Sequence, residues 1–217
     1  AKTIGEMSCN PSIGGIGKGV LVREIDALDG LMGRVADQAG LMFRVLNKSR
    51  GPAVHGPRAQ ADRDLYRAAM QRAMRQPNLT IREGGVEDLL IDYEQKCLKG
   101  AVLGNGTIVR SDHVIITTRT FLRAVLHVGP TIKVVGGRYG EDNSVGLSLT
   151  MERLGFKLGR LTTATPPRID KRTCNFAGLE EQWGDQPPQP FNHMARTIDP
   201  SIIDKQQCTY ITYTTKA

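Results

Sequence analysis

No stretch of this chain reaches the roughly 18 consecutive apolar residues that a membrane-spanning helix needs, so none is expected. Cysteine is scarce. Cys9, Cys97, Cys174 and Cys208 are widely scattered and form no C-x-x-C pair. Neither a zinc site nor a disulfide framework is indicated, and a reducing compartment is the default. His55, His113, His127 and His193 have no carboxylate or cysteine at metal-ligand spacing, so no metal is expected. Internal repeats and low-complexity tracts are missing, as are an initiator methionine and a signal segment. The chain opens abruptly at Ala1 and reads as an internal piece of a longer protein.

What remains is a globular composition. With 217 residues, 40% hydrophobic and 24% charged, there is material for one large domain or one and a half. The 29 basic and 22 acidic residues leave +7. That excess suits a polyanionic partner, and suits equally a basic protein without one.

The most distinctive stretch is Met7-Ser8-Cys9-Asn10-Pro11-Ser12-Ile13-Gly14-Gly15-Ile16-Gly17-Lys18-Gly19. Its glycines permit positive φ and bring backbone close to a neighbour. Leu21, Ile25, Leu28, Met32 and Val35 follow at helical spacing and predict one amphipathic helix behind the loop. A loop feeding a helix N-terminus offers N–H groups and a positive dipole end to an anion or electron-rich ring. The common nucleotide fingerprints are absent. Ser12 stands where a P-loop needs glycine, and Val20 where a dinucleotide turn needs its third. Structural turn and ligand cradle both fit the pattern.

Further along, Leu41–Leu46 predicts a short strand, 47–57 a loop, and 59–75 a helix with Leu65, Ala69 and Ala73 inward. Leu79–Glu83 and Val86–Asp92 predict strands separated by Gly84-Gly85. Cys97–Leu103 and Thr107–Arg110 predict a hairpin around Gly104-Asn105-Gly106. Val114–Thr118 is a β-branched run typical of a strand buried on both faces. Beyond Val125 come strand-like residues to Val135, a glycine-rich loop, and a helix from a Ser144 cap to Leu154 with Gly155 closing it. Prolines then interrupt any long element.

The run SCNPSIGGIGKG followed by LVREIDALDGLMG resembles the GidA/MnmG family, flavoproteins that modify the wobble uridine of certain tRNAs. DQAG, RGPAV, RAQADRDLYR, VEDL, TTRTFLRA and GRLTTATPPRI continue the likeness in order. GEMSCNPS and DALDGL are similar to the mitochondrial branch. The resemblance implies an α/β fold: residues 1–124 as part of a two-dinucleotide-binding, glutathione-reductase-like FAD domain lacking its G-x-G-x-x-G strand, and 125–217 as part of an inserted domain. It also implies modification at C5 of uridine 34 with a carboxymethylaminomethyl or taurinomethyl group. FAD, NADH as reductant, a folate one-carbon donor, a GTP-binding partner, a possible homodimer and a mitochondrial location go with it. A non-catalytic remnant of that enzyme, or another FAD-dependent oxidoreductase, are the alternatives.

By the same resemblance Val86 lies beside the adenosine half of FAD, and Ser144 near the flavin. Thr118 joins the cofactor set, and Gly14, Gly15, Gly17 and Lys18 flank the isoalloxazine ring. A cation there would stabilise the reduced ring. Cys9 matches the Ser-Cys-Asn-Pro cysteine; near a helix N-terminus its thiolate is favoured for nucleophilic or redox use, against a purely structural role. Arg138, Arg160 and Arg168 in Gly/Pro-rich loops are candidates for RNA phosphates, or are simply solvated. Arg119 and Ala164 replace glycines of the family motifs.

Overall fold

The structure is a computed structural model that describes residues 2–7 and 10–215. In chain order the elements are β1 (Ser12–Gly14), α1 (Lys18–Ala27), α2 (Leu31–Ala39), β2 (Gly40–Leu46), β3 (Gly56–Ala61) and α3 (Arg63–Ala73). Next come β4 (Val86–Asp92), β5 (Cys97–Leu103), β6 (Ile108–Arg110), β7 (Val125–Val128), β8 (Ile132–Val135) and α4 (Gly146–Arg153). The last are β9 (Glu180–Gln182), α5 (Pro200–Ile203) and β10 (Thr209–Ile211). Helices and sheets are mixed, as an α/β reading requires. Two compact units result: unit 1 is Ala1–Thr80 with Ala164–Ala217, and unit 2 is Ile81–Thr163. Val125 begins a strand inside unit 2.

Unit 1 carries an antiparallel sheet of order β1-β3-β2 and the pair β9-β10. The central strand β3 falls where sequence periodicity predicts loop and helix. Its Ala-Gln-Ala run has no β-branched residue, yet ladders on both edges hold it extended, so tertiary pairing overrides propensity. The helix starts later than predicted because Asp62 caps it, accepting from Asp64 N and Leu65 N, both at 2.9 Å.

The single helix predicted behind the glycine loop is two. Asp29 takes φ 63° and Gly30 N donates to Ile25 O at 2.8 Å, ending α1. Any Cβ on Gly30 would meet Ile25 Cγ2 at 2.1 Å, so this break needs glycine. The expected inward stripe is also displaced. Leu21, Ile25 and Leu28 are 57%, 43% and 86% exposed, while Gly19 and Val22 are buried. Gly19 explains the phase: a Cβ there would lie 2.6 Å from Pro57 O, so α1 lies backbone-close on the approach to β3 and turns its larger side chains away. The core gathers Ile13, Val22, Val35, Phe43, Tyr66 and Phe191.

Unit 2 holds the antiparallel sheet β4-β5-β6 and the hairpin β7-β8. The predicted strand Leu79–Glu83 is irregular. Val114–Thr118 is also not a strand: among the described residues no ladder pairs with it, and Ile115 is 88% exposed. An apolar β-branched run becomes a buried strand only where neighbours occupy both edges, and unit 2 offers it none.

Candidate functional site

In unit 2, the V-E-D-L motif on β4 organises everything around it. Glu87 Oε2 accepts from Gly146 N at 3.1 Å, placing a carboxylate at the N-terminus of α4 where the helix dipole favours it. Asp88 Oδ1 accepts from the Thr150 hydroxyl at 2.6 Å and Arg153 at 2.7 Å, one helical turn apart. Burial pushes the Asp88 carboxyl up, but the Thr150 hydroxyl, the Leu89 N–H and Arg153 outweigh it and hold the group below its ordinary value. So α4 is capped from a strand. Ser144, the expected cap, makes no side-chain bond to the helix.

Ser144 has another task. Its N–H donates to Phe121 O at 2.8 Å and its carbonyl accepts from Arg123 N at 2.9 Å, tying the 118–124 turn to the start of α4. That turn is sharp, with Arg119 and Arg123 at φ 48° and 45°. Arg123 is held by an ion pair with Glu152 and by Arg160, which donates to its carbonyl at 2.9 Å. Arg119 occupies the left-handed region that its glycine-replacing position suggests.

Beside these links lies an open cavity of about 590 Å³. Val86, Leu89 and Ala101 form its sheet wall; Val114–Thr118 and Phe121 form another; Asn143, Ser144 and Leu147 close it. Val86, Thr118 and Ser144, separated by dozens of residues in sequence, thus line one chamber. Its surface is largely apolar with a few convergent polar groups, the usual make-up of a cofactor pocket. Asp142 and Glu87 add carboxylates at its margin.

The other expected residues lie elsewhere. In unit 1, Gly14, Gly15 and Gly17 have φ of 82°, 98° and 74°. The loop is closed by its own chain: Gly15 N donates to Pro57 O at 2.9 Å, and Gly19 N to Gly15 O at 2.7 Å. A Cβ on Gly14 would meet Pro57 O at 2.1 Å, so that glycine is demanded by packing. Gly17 has open space around it. Lys18 Nζ turns back to Ser12 O at 3.4 Å. Cys9 lies outside the described residues.

Arg138 pairs with Glu141 within unit 2. Arg168 lines a second cavity, of about 460 Å³ in unit 1, with Asn10, Arg63, Thr165, Pro166 and Pro167. Among the described residues no cluster of three His, Cys, Asp or Glu is placed to hold a metal. Sequence reasoning overlooked a clamp in unit 1. Asp37 accepts from Phe191 N at 2.8 Å and Asn192 N at 2.9 Å, Asp26 accepts from His193 N at 2.7 Å, and Arg23 donates to Pro190 O and Phe191 O. Burial raises the Asp37 carboxyl against those two N–H bonds. Its signal was the acid spacing on the inner side of α1 and α2, legible only once a partner segment is known.

The family model described as glucose inhibited division protein A matches residues 1–217. Among curated proteins, the tRNA uridine 5-carboxymethylaminomethyl modification enzyme MnmG of Granulibacter bethesdensis is 52% identical over 201 residues, covering 92% of this chain and 32% of that protein. The mitochondrial 5-taurinomethyluridine-[tRNA] synthase subunit MTO1 of Macaca fascicularis is 48% identical over 219 residues, with 98% and 31% covered. The chain spans about a third of the length of these relatives. The form II crystal structure of Aquifex aeolicus GidA matches with TM-score 0.88 and 43% identity over 99% of this chain and 36% of that one.

Proposed function

Because the chain belongs to the glucose inhibited division protein A family, we propose that it forms part of an FAD-dependent enzyme modifying C5 of the wobble uridine of tRNA. The single observation that carries this reading is the unit 2 cavity. Three residues that the resemblance gives to FAD, Val86, Thr118 and Ser144, line it together. Its donor set fits the cofactor. Val86, Leu89, Phe121 and Leu147 offer apolar walls to a planar ring, and Thr118, Asn143 and Ser144 offer hydrogen-bonding groups at its edge.

When bound, FAD supplies hydride and electron transfer. The residues of this chain bind and orient it. Glu87 and Asp88 keep α4 against β4, which fixes Leu147 and the Ser144 backbone in the chamber wall. Cys9 as nucleophile, NADH as reductant, a GTP-binding partner, a homodimer and a mitochondrial location complete the proposal. They rest on the resemblance, and for location on relatives whose names say mitochondrial. For Gly14, Gly15, Gly17 and Lys18 the closed loop of unit 1 supports a turn in which the N–H groups of Gly15, Lys18 and Gly19 are already engaged.

Two measurements test the reading. Titrating FAD against the protein and following flavin fluorescence should give saturable quenching that Val86→Trp abolishes by filling the chamber. Unchanged quenching in that variant would remove the cavity from the FAD site. Mass spectrometry of tRNA nucleosides should show the wobble modification lost from cells deprived of the protein.

A further inference from the structure

We propose that the sheet face carrying Arg44 and Arg58 is a contact surface for the phosphate backbone of RNA. This rests on the tRNA reading above and names where the polyanion lies in unit 1.

The register of β2 against β3 sets Arg44 directly opposite Arg58. Side chains at facing positions of an antiparallel pair project from the same side of the sheet, and like charges so placed repel. The repulsion is not relieved internally. Among the described residues neither arginine pairs with a carboxylate. Arg44 donates instead to the Trp183 carbonyl at 3.1 Å. Arg58 Nε is buried and has no hydrogen-bond partner, a cost that the fold carries at this position.

The third strand adds no counter-charge, since Gly14 stands in the same row as Arg58. Some other arginines, in contrast, sit against a carboxylate of their own. Arg138 has Glu141, Arg67 has Asp64 and Arg172 has Asp170. A pair of unneutralised guanidinium groups on a rigid sheet is thus a local excess within a chain of +7.

The two groups diverge. Arg58 leans toward the glycine loop, its Cδ 3.9 Å from where a Gly15 Cβ would lie, while Arg44 reaches toward Trp183. Charges spread along a face suit successive phosphates of one strand better than a single small anion. Trp183 is 50% exposed and is the only tryptophan in the chain. Its indole N–H donates to Glu181 at 2.9 Å, and its exposed ring is of the kind on which a base can stack.

Anisotropy of a fluorescein-labelled anticodon stem-loop RNA tests the proposal. Arg44→Gln with Arg58→Gln should weaken binding at least about tenfold. It should also flatten the slope of log affinity against log salt by about 1.5, two phosphate contacts at roughly 0.7–0.9 each. Arg58→Lys should keep most of the slope, and Arg172→Gln, already neutralised by Asp170, should change nothing; circular dichroism checks that each variant is folded. Affinity and slope unchanged in the double variant would overturn this surface while leaving the tRNA reading intact. No binding by the unaltered protein would overturn both. Trp183 emission gives the second arm. RNA should quench it and millimolar inorganic phosphate should not; quenching by phosphate alone would make this a small-anion site and overturn the proposal.

Discussion

The two units are built on different principles. Unit 1 seals an apolar cluster in which Phe43, Val22, Val35 and Phe191 are almost wholly withdrawn from water. In unit 2, Leu147 is the one apolar side chain buried to that degree among the described residues. Glu87, Asp88, Arg123 and Asn143 do the joining there, each linking segments distant in the chain. Burial holds the first; a lattice of polar links holds the second around an open chamber. A unit that must leave room for a ligand cannot fill its own centre, so its order comes from directional bonds along the rim.

Truncating the core should break the contrast most severely. Phe191→Ala should lower unfolding stability by about 3–5 kcal/mol, the usual range for a buried aromatic, as read by urea denaturation. Amide exchange should show the loss spread through unit 1 and absent from the β4-β5-β6 sheet.

The corresponding blow to unit 2 is smaller. Asp88→Ala removes the acceptor for Thr150 and Arg153, and should cost about 1 kcal/mol, because the carboxylate is partly exposed. Nuclear magnetic resonance should find α4 fraying while α1 and α2 keep their shifts.

Acid should sharpen the difference, since the two carboxyls are displaced in opposite senses. Asp88 is held low, so its contribution is complete above the ordinary carboxylate value and disappears as pH falls through its folded value. Asp37 is pushed up by burial, so its contribution is complete below the ordinary value and disappears as pH rises through its folded one. Lowering pH through this window should loosen unit 2 while relieving unit 1 of the cost of a buried Asp37 charge. Site-resolved titration would show it, and Asp88→Asn should erase the acid limb in unit 2 alone.

Arg119→Gly should have the least effect. Relief of the left-handed backbone at φ 48° is worth about 1 kcal/mol, offset in part by the freer unfolded chain. A net gain of roughly 0.5 kcal/mol in thermal unfolding is expected. A loss would mean that the arginine side chain holds the turn.

Much of unit 2's sheet was legible. Strands β4, β5 and β6 follow from β-branched and aliphatic runs punctuated by Gly104-Asn105-Gly106, which are local signals. Strand β3 was not, because Ala59 and Ala61 carry no strand preference and are extended only by neighbours on either side. Nor was the cap of α4, since Glu87 lies 59 positions before Gly146. Val114–Thr118 shows the reverse failure, a strong local signal without the partners that would realise it. The cofactor residues came from resemblance; no spacing rule links Val86 to Ser144 before a fold brings their strand and turn together.

The discontinuity of unit 1 carries a consequence for how the protein is made. Phe191 belongs to its core, yet Asp37, which holds that segment in place, is emitted 154 residues earlier. During vectorial synthesis at about 5–20 residues per second, α1, α2 and the β1-β3-β2 sheet wait many seconds with one wall of their core uncovered. Unit 2 forms its sheets from neighbouring hairpins, and its longest links, from β4 to α4, span about 60 residues, far fewer than the 154 between Asp37 and Phe191. The middle of the chain therefore matures before its beginning, and the nascent apolar face of the first helices is the stretch that a ribosome-associated chaperone would meet.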